Sequence, residues 1–226
     1  MSSRSRRRPP ATTLVLLVRH GETATTGARL PGRAGGLALT ERGRQQAEAV
    51  AGRLAGLGRV DAVHVSPLLR ARQTAAPIAR AHDLRPVVQA GLTDLDVGEW
   101  TGAELKTVRR TPEWETVQRW PSGFRFPAGE SFTEMQARVT ETVQRLRADH
   151  AGGVVVAVSH ADPIKAVVAD AVGTHLDHFQ RIVISPCSVT AIAYGPGGPT
   201  VLTVNSTGDD LAGALGPNGS RRRKTS

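Results

Sequence analysis

Two short apolar runs constrain the fold of this chain more than any other feature of its sequence. The segments LVLLV, at residues 14–18, and VVVAV, at residues 154–158, contain no polar residue. A strand without polar alternation is typical of a parallel sheet that is covered on both faces. Because helical patterns alternate with the strand patterns, the sequence predicts an α/β fold, a three-layer α/β/α sandwich with a mostly parallel central sheet.

The remaining elements follow from local signals. We expect further strands at 61–65, 86–89, 189–194 and 201–205, and helices at 43–57, from 67 onward, at 132–148 and at 163–172. Thr40 is a predicted N-cap, and so is Ser66, which precedes Pro67 at a first helical position. Pro77 is expected to kink or divide the second helix. Residues 101–130 are expected to form short helices and loops over one face of the domain.

The positive charge of the chain is concentrated at its two ends. The formal net charge is +9, yet eight basic residues and no acid lie within 1–10 and 217–226, so the rest of the chain carries only +1. Runs of like charge among Ser, Pro and Gly usually remain disordered. We therefore expect basic disordered tails at 1–12 and 208–226, and one domain at 13–207 with an insertion at about 101–130.

Composition indicates an ordinary globular protein, with 39% hydrophobic and 22% charged residues. The single cysteine, Cys187, excludes an intrachain disulfide, which fits a reducing cytoplasm. The first apolar run is shorter than the about 7–15 residues of a signal-peptide core. No segment reaches the about 18 apolar residues that a membrane span requires. We expect a cytoplasmic protein without membrane contact.

Cationic and imidazole side chains follow three of the predicted strands. Arg19 and His20 follow the first strand, Arg70 lies early in the helix after the second, and Ser159 and His160 follow the second apolar run. In parallel sheets, ligands bind beyond the carboxyl ends of the strands. Arginine matches the geometry of phosphate, helix N-termini favour anions, and a histidine in such a pocket can attack phosphorus. The pattern therefore predicts a pocket for a phosphoryl group.

Five segments, in this order along the chain, resemble the motifs of the histidine phosphatase superfamily, in its phosphoglycerate mutase-like branch. LVLLVRHGET resembles the R-H-G-[ET]-[ST] signature, and SPLLRARQTA resembles S-x-L-x-R-A-x-x-T-A. LTDLDVGEWTG is similar to L-x-E-x-x-x-G-x-W-E-G, PAGESF to P-x-G-E-S, and VVVAVSHAD to a strand ending in S-H-G or S-H-A. The segments span residues 14 to about 165 and imply the phosphoglycerate mutase-like fold.

The resemblance implies a role for each matching residue. His20 falls on the nucleophile that becomes phosphohistidine, and His160 falls on the second histidine of the pocket. Arg19 and Arg70 fall on the two arginines that bind the phosphate, and Thr23 is assigned to the same phosphate-binding set. For this chemistry we expect His20 to be neutral and His160 to be protonated.

The general acid is where the sequence departs from the family pattern. The glutamate of the L-x-E segment falls on Asp94, which is one methylene shorter; some branches use aspartate, but in a different motif context. Glu99 and Asp96 are alternative acids, while Glu22 is expected to orient the loop or the ligand. Because an ordinary aspartate has a pKa of about 3.9, this acid needs a raised pKa or a mildly acidic solution.

These residues predict a phosphomonoester hydrolase, of the metal-independent histidine acid phosphatase type, that acts on a small phosphorylated metabolite. No cofactor or metal is expected, because His175 and His178 lack further ligands. A phosphomutase of the phosphoglycerate mutase type is the alternative, although the insertion is not rich in basic residues. A nucleic-acid-binding protein with an inactive phosphatase domain is a second alternative that only the basic tails suggest.

The sequence leaves several points open. The substrate is open among sugar phosphates, ribazole phosphate, phosphoserine and phosphoglycerates. The aromatic residues of the insertion region either shape the mouth of the pocket or pack in the core; they are Trp100, Trp114, Trp120 and Phe124. Nucleic-acid contact is expected to be confined to the tails, and the oligomeric state is open, with a dimer as one option.

Overall fold

The structure is a computed structural model, and it describes residues 12–208 and 211–215. Most of the two predicted tails lies outside these residues. Within the predicted C-terminal tail, Leu211–Leu215 forms a short helix, α7, and both of its terminal leucines are buried in the core. The tail prediction is therefore wrong for this segment, because two leucines four positions apart share one face of a helix and cover apolar surface.

A six-stranded sheet forms the middle layer, with strand order β3-β2-β4-β1-β5-β6. The strands are β1 (Thr13–Arg19), β2 (Ala62–Val65), β3 (Val87–Val88), β4 (Val154–Ser159), β5 (Val189–Gly195) and β6 (Gly198–Ser206). The first four strands of this order pair in parallel, whereas β5 and β6 form an antiparallel hairpin beside β1. The predicted fold class, a mostly parallel sheet in an α/β sandwich, is confirmed.

Helices cover both faces of the sheet. They are α1 (Glu41–Ala55), α2 (Leu69–Ala81), α3 (Leu105–Val108), α4 (Pro112–Arg119), α5 (Phe132–Asp149) and α6 (Ala161–Ala171). Leu14, Leu16 and Val18 of β1 belong to the apolar cluster with α1 and α2, while Val15 and Leu17 belong to the cluster with α5 and α6. Because both faces of β1 are covered, the five successive residues 14–18 of the strand are all apolar. None of the helices in the described part of the chain is both long and apolar enough to cross a membrane.

The helix starts confirm one predicted cap and correct another. The Thr40 side chain accepts a hydrogen bond from the Gly43 amide and caps α1, as expected. Ser66 does not cap α2, which begins at Leu69 after an N-cap without a side-chain bond. The Ser66 hydroxyl instead lies 2.7 Å from a ring nitrogen of His160. The expected division at Pro77 is also absent, since α2 runs through this residue.

The region 101–130 consists of short helices and loops, as predicted. Trp100 and Phe124 pack against the apolar cluster on the α5 side of the sheet, with ring centroids 5.7 Å apart. Trp120 is 60% exposed on the surface. Trp114 packs against the same cluster and also lies in the wall of a cavity. Of the two roles left open for these aromatic residues, core packing therefore fits Trp100 and Phe124, and both roles fit Trp114.

Candidate active site

Three strand ends meet at one edge of the sheet. Strand β4 lies between β2 and β1, and Arg19 at the end of β1 pairs in register with Ser159 at the end of β4. The backbone amide of His20 donates to the carbonyl of Ser159 at 3.0 Å. As a result the rings of His20 and His160 lie with their centroids 5.1 Å apart. The predicted convergence of the strand ends is therefore present.

Hydrogen bonding fixes the tautomer of His20. Its Nδ1 lies 2.7 Å from the carbonyl oxygen of Gly21, which can only accept a hydrogen bond. The proton of a neutral ring is therefore on Nδ1, and Nε2 keeps its lone pair. Burial lowers the pKa of His20 well below its ordinary value, and the charges of His160, Arg70 and Arg19 lower it further. A buried, neutral imidazole with a free Nε2 lone pair is suited to nucleophilic attack.

The loop after His20 is held against α1 and α2. The Gly21 amide donates to the hydroxyl of Thr74 at 3.0 Å, and this hydroxyl donates to the carbonyl of Arg70 at 2.8 Å. A Cβ on Gly21 would collide with the carbonyl of Gly43, so this close approach requires glycine. Glu22 accepts a hydrogen bond from Thr40 at 3.2 Å. This contact fits the expectation that Glu22 orients the loop.

His160 is fully buried, and Ser66 holds its ring. The Ser66 hydroxyl lies 2.7 Å from Nε2 of His160 and accepts a hydrogen bond from the amide of Leu68 at 3.4 Å. In the tautomer in which Ser66 donates to Nε2, the ring proton is on Nδ1, which lies 3.4 Å from Oδ2 of Asp94. Burial lowers the pKa of His160 well below its ordinary value, with Arg70 and Arg19 as further causes. Burial therefore favours a neutral His160, in contrast to the expected protonated ring, and the neutral ring can donate from Nδ1.

The two arginines are anchored by backbone carbonyls. Arg70 is 0% exposed, and its Nη2 donates to the carbonyl of Gly32 at 2.7 Å. Arg19 donates from Nη1 to the carbonyl of Ile184 at 2.6 Å. The Nε atoms of both arginines and Nδ1 of His160 are buried, and none of the three has a hydrogen-bond partner in the part of the chain that the structure describes. An anion with several acceptor oxygens fits such a set of donors.

Asp94 lies among these cationic groups. Its Oδ2 is 2.8 Å from Nη2 of Arg70 and 3.4 Å from Nδ1 of His160. Burial raises the pKa of Asp94, while Arg70 opposes this effect and Asp162 adds to it. The alternative acids lie elsewhere: Asp96 bonds to Arg33 and the amide of Gly98. Glu99 is exposed and is not part of the cavity wall described below.

A network of charges that the sequence analysis did not identify holds the backbone of Asp94. We call residues 91–96 the acid loop. Arg33 donates to the carbonyl of Asp94 at 3.0 Å, and Arg138 donates to the carbonyls of Gly91 and Thr93 at 2.8 and 3.1 Å. Glu130, whose side chain is 12% exposed, bridges the two arginines with contacts of 2.9 Å.

These residues escaped the sequence analysis for different reasons. Ser66 directly follows β2, just as His160 directly follows β4, so its position at the strand end was a usable signal. Glu130 belongs to the PAGESF segment, but its partners Arg33 and Arg138 come from distant parts of the sequence, and no local pattern connects them.

A cavity of about 380 Å³ opens beside these groups. Its wall includes Arg19, His20, Thr23, Asp94 and Asp162. Thr23 is 3% exposed, and its hydroxyl lies 3.1 Å from the hydroxyls of two neighbouring threonines that also line the cavity. Among the described residues, no group of three His, Cys, Asp or Glu side chains is placed to hold a metal ion.

Comparison with known proteins places the chain in a family. A sequence model described as histidine phosphatase superfamily (branch 1) matches residues 15–207. The chain belongs to this superfamily. The resemblance stated from the five motifs is thereby confirmed, and the matched range contains His20, Arg70, Asp94 and His160.

Relatives of this histidine phosphatase carry different names. Phosphoserine phosphatase 1 of Hydrogenobacter thermophilus is 30% identical over 200 residues, which cover 85% of this chain and 92% of the relative. A probable phosphoglycerate mutase of Erwinia tasmaniensis is 32% identical over 181 residues, 79% of this chain and 83% of the relative. A bifunctional protein of Mycobacterium tuberculosis is 36% identical over 200 residues. The match covers 87% of this chain but only about half, 54%, of that protein.

A solved structure confirms the fold. A mycobacterial glucosyl-3-phosphoglycerate phosphatase superposes with a TM-score of 0.79 at 24% sequence identity, over 87% of this chain and 100% of the other. At this level of identity the likeness concerns the arrangement of helices and strands.

Proposed function

We propose that this histidine phosphatase hydrolyses a small phosphorylated metabolite, a phosphomonoester, through a phosphohistidine on Nε2 of His20. One observation carries the proposal: His20 is buried beside the cavity, and its Nδ1 proton is directed to the carbonyl of Gly21 at 2.7 Å. The nitrogen that remains basic is the one that can attack phosphorus. The relatives named as phosphatases support hydrolysis.

The phosphoryl group binds among the two arginines and the neutral ring of His160. Arg19, Arg70 and His160 offer the buried N–H groups that have no partner among the described residues. These donors are fixed by the backbone and by Ser66 before substrate arrives. Fixed donors stabilise the charge that spreads over the phosphoryl oxygens in the transition state, and they do so without reorganisation.

In the first chemical step, the lone pair of His20 Nε2 forms a bond to phosphorus while the ester P–O bond breaks. The electrons of that bond go to the leaving oxygen, and the carboxyl group of Asp94 gives its proton to this oxygen, so that a neutral alcohol leaves. Burial already raises the pKa of Asp94. A phosphate dianion bound beside this carboxyl group disfavours its charged form further, which retains the proton for the leaving group.

In the second step, water attacks the phosphohistidine. The carboxylate of Asp94 accepts a proton from the water, the P–N bond breaks, and its electrons return to Nε2 of His20. Inorganic phosphate leaves, and Asp94 is protonated again for the next cycle. The same side chain thus acts as acid and then as base, as a reversible proton carrier must.

A phosphomutase is the second candidate, because a relative is named a probable phosphoglycerate mutase. A mutase returns the phosphoryl group to the substrate rather than to water. Incubation with 3-phosphoglycerate distinguishes the two: a phosphatase releases inorganic phosphate, whereas a mutase forms 2-phosphoglycerate. We expect phosphate release to exceed isomerisation.

The test compares wild type with His20→Ala on a panel of phosphomonoesters, with EDTA present. We expect hydrolysis by the wild type and none by His20→Ala. His178→Ala is the matched control, since His178 is an exposed histidine, and it should retain full activity. Rapid quenching in alkali should trap phosphate on the wild type, and acid should release it.

Full activity of the His20→Ala variant would refute the proposal. So would the absence of any phosphohistidine during wild-type turnover.

A further inference from the structure

A second cavity, of about 270 Å³, adjoins the 380 Å³ cavity beside His20, which we call the phosphate cavity. The two share part of their walls, namely Leu30, Leu95, Val97, Arg109, Asp162 and Lys165. A substrate whose phosphoryl group lies beside His20 therefore directs its alcohol portion toward this second cavity. We call it the leaving-group cavity.

The wall of the leaving-group cavity is mainly apolar. Helix α4 supplies Trp114 and Val117, and the aromatic cluster supplies Phe126 and Phe132. These side chains belong to the apolar cluster on the α5 side of the sheet, so the wall is backed by packed core. Burial of an alkyl or aryl group against such a wall is favourable, because it removes apolar surface from water.

Two of the three charged side chains in this wall, Lys165 and Asp162, are paired with each other, and the third is Arg109. Lys165 lies 3.0 Å from Asp162 and 3.0 Å from the side-chain oxygen of Gln180, so a carboxylate already neutralises it. Arg29 pairs with Glu104 at 3.1 Å. Arg109 is exposed at the rim, where solvent screens its charge. A substrate carboxylate in this cavity would meet the carboxylate of Asp162.

We propose that the alcohol released by this enzyme carries an uncharged apolar group, and that the leaving-group cavity binds this group. The inference rests on the proposed phosphatase function and names its substrate class: phosphomonoesters of apolar alcohols rather than of hydroxy acids. Trp114 is the specificity-determining residue, because it forms a wall of the cavity on a helix of the insertion region.

A series of alkyl phosphates tests the proposal with the wild-type enzyme alone. Ethyl, butyl and hexyl phosphate have the same leaving-group chemistry and differ in apolar length. The expected result is a kcat/KM that rises by about fourfold for each methylene that enters the cavity, the value for full burial of one methylene. A kcat/KM that is independent of chain length overturns the proposal.

Variants of Trp114 test whether the gain in kcat/KM with chain length arises in the leaving-group cavity. Trp114→Ala should reduce the gain per methylene to less than about twofold, since the added carbons lose a contact surface. Trp114→Phe, which is less disruptive to folding, should retain part of the gain. The matched control is Trp120→Ala, a change at an exposed tryptophan close by in sequence, which should preserve the wild-type slope. The proposal is contradicted if both Trp114 variants keep the wild-type gain in kcat/KM per methylene and have melting temperatures near that of the wild type.

A substrate of similar length that carries a charge in place of an apolar end tests the preference for uncharged groups. 3-Phosphooxypropanoate, which ends in a carboxylate, should have a kcat/KM below that of butyl phosphate; the reverse order overturns the proposal.

These experiments distinguish failure of the apolar-subsite proposal from failure of the proposed phosphatase function. Hydrolysis of all alkyl phosphates at equal rates, with dependence on His20, rejects the apolar subsite and keeps the phosphatase. Failure to hydrolyse any of them, together with no phosphohistidine from 4-nitrophenyl phosphate, rejects both.

Discussion

The two halves of the active site are held in place by different means. Arg19, His20 and His160, which we call the phosphate end, directly continue β1 and β4, whose parallel pairing sets their positions. The acid loop has no strand pairing of its own around Asp94. Its backbone is held by Arg33 and Arg138 and by the Ser159 hydroxyl, which donates to the carbonyl of Leu92 at 2.7 Å. The phosphate end therefore depends on strand pairing, and the acid loop depends on side-chain contacts, several of which are charged.

The two halves of the site, which are held in different ways, also have different roles in the proposed mechanism. In this proposed mechanism, the groups of the phosphate end act on the phosphoryl group, which all substrates share, and Asp94 acts on the leaving oxygen, which differs among substrates. In the first chemical step, which kcat/KM reports, changes at the phosphate end should therefore affect all substrates alike, whereas changes at the acid loop should affect only those whose leaving group needs a proton.

The largest dependence on substrate is expected for Asp94→Asn. For butyl phosphate, loss of the general acid should lower kcat/KM by about 10²–10⁴-fold. For 4-nitrophenyl phosphate, whose phenolate leaves without a proton, the loss in kcat/KM should stay below about tenfold. Steady-state kinetics on both substrates provide the measurement, and equal losses would remove Asp94 from the role of acid.

The pH profile of the wild type tests the same assignment. Because the acid must hold its proton, kcat/KM for butyl phosphate should fall as pH rises through the pKa of Asp94. Burial raises this pKa, so the falling limb should lie above the range of an ordinary aspartate, about 3.9. Asp94→Asn should lack this limb.

A loss of similar size on both substrates is expected for Arg70→Ala. Removal of one fixed donor to a transition state typically costs on the order of 10²–10³-fold in rate. The Arg70 guanidinium also lowers the pKa of Asp94, so its removal should move the falling limb of the profile to higher pH. A loss confined to butyl phosphate would place Arg70 with the acid loop and break the comparison.

The smallest effect is expected for Glu130→Gln. The Glu130 carboxylate contacts Arg33, Arg138 and the amide of Asp96 and acts on Asp94 through these groups. Small misplacements of a catalytic group cost up to about 10²-fold. We expect kcat/KM for butyl phosphate to fall by about tenfold, with little change for 4-nitrophenyl phosphate.

Glu141→Gln is the control, because it removes an exposed ion pair, between Glu141 and Arg145. Such surface pairs contribute about 0–1 kcal/mol. Equal losses on both substrates in Glu130→Gln, or a large drop in its melting temperature, would point to general destabilisation rather than to positioning of Asp94.

The parts of the fold with strong local signals were predicted well. The spans of β1, β4, α5 and the cap of α1 agree with the structure within a few residues, because apolar runs and caps act over short distances. The predicted N-cap at Ser66 is wrong, because the Ser66 hydroxyl instead hydrogen-bonds to the ring of His160, a residue distant in sequence.

The sequence by itself determined the fold class and the residues that meet at the carboxyl ends of the strands, because these follow from buried strands and from what comes after them. Only the tertiary structure showed that burial and neighbouring charges lower the pKa of His160 as well as that of His20, which the sequence analysis already expected to be neutral. It also decided which acidic residue lies in the cavity and where an apolar leaving group can bind. Those properties depend on contacts between segments that no local pattern connects.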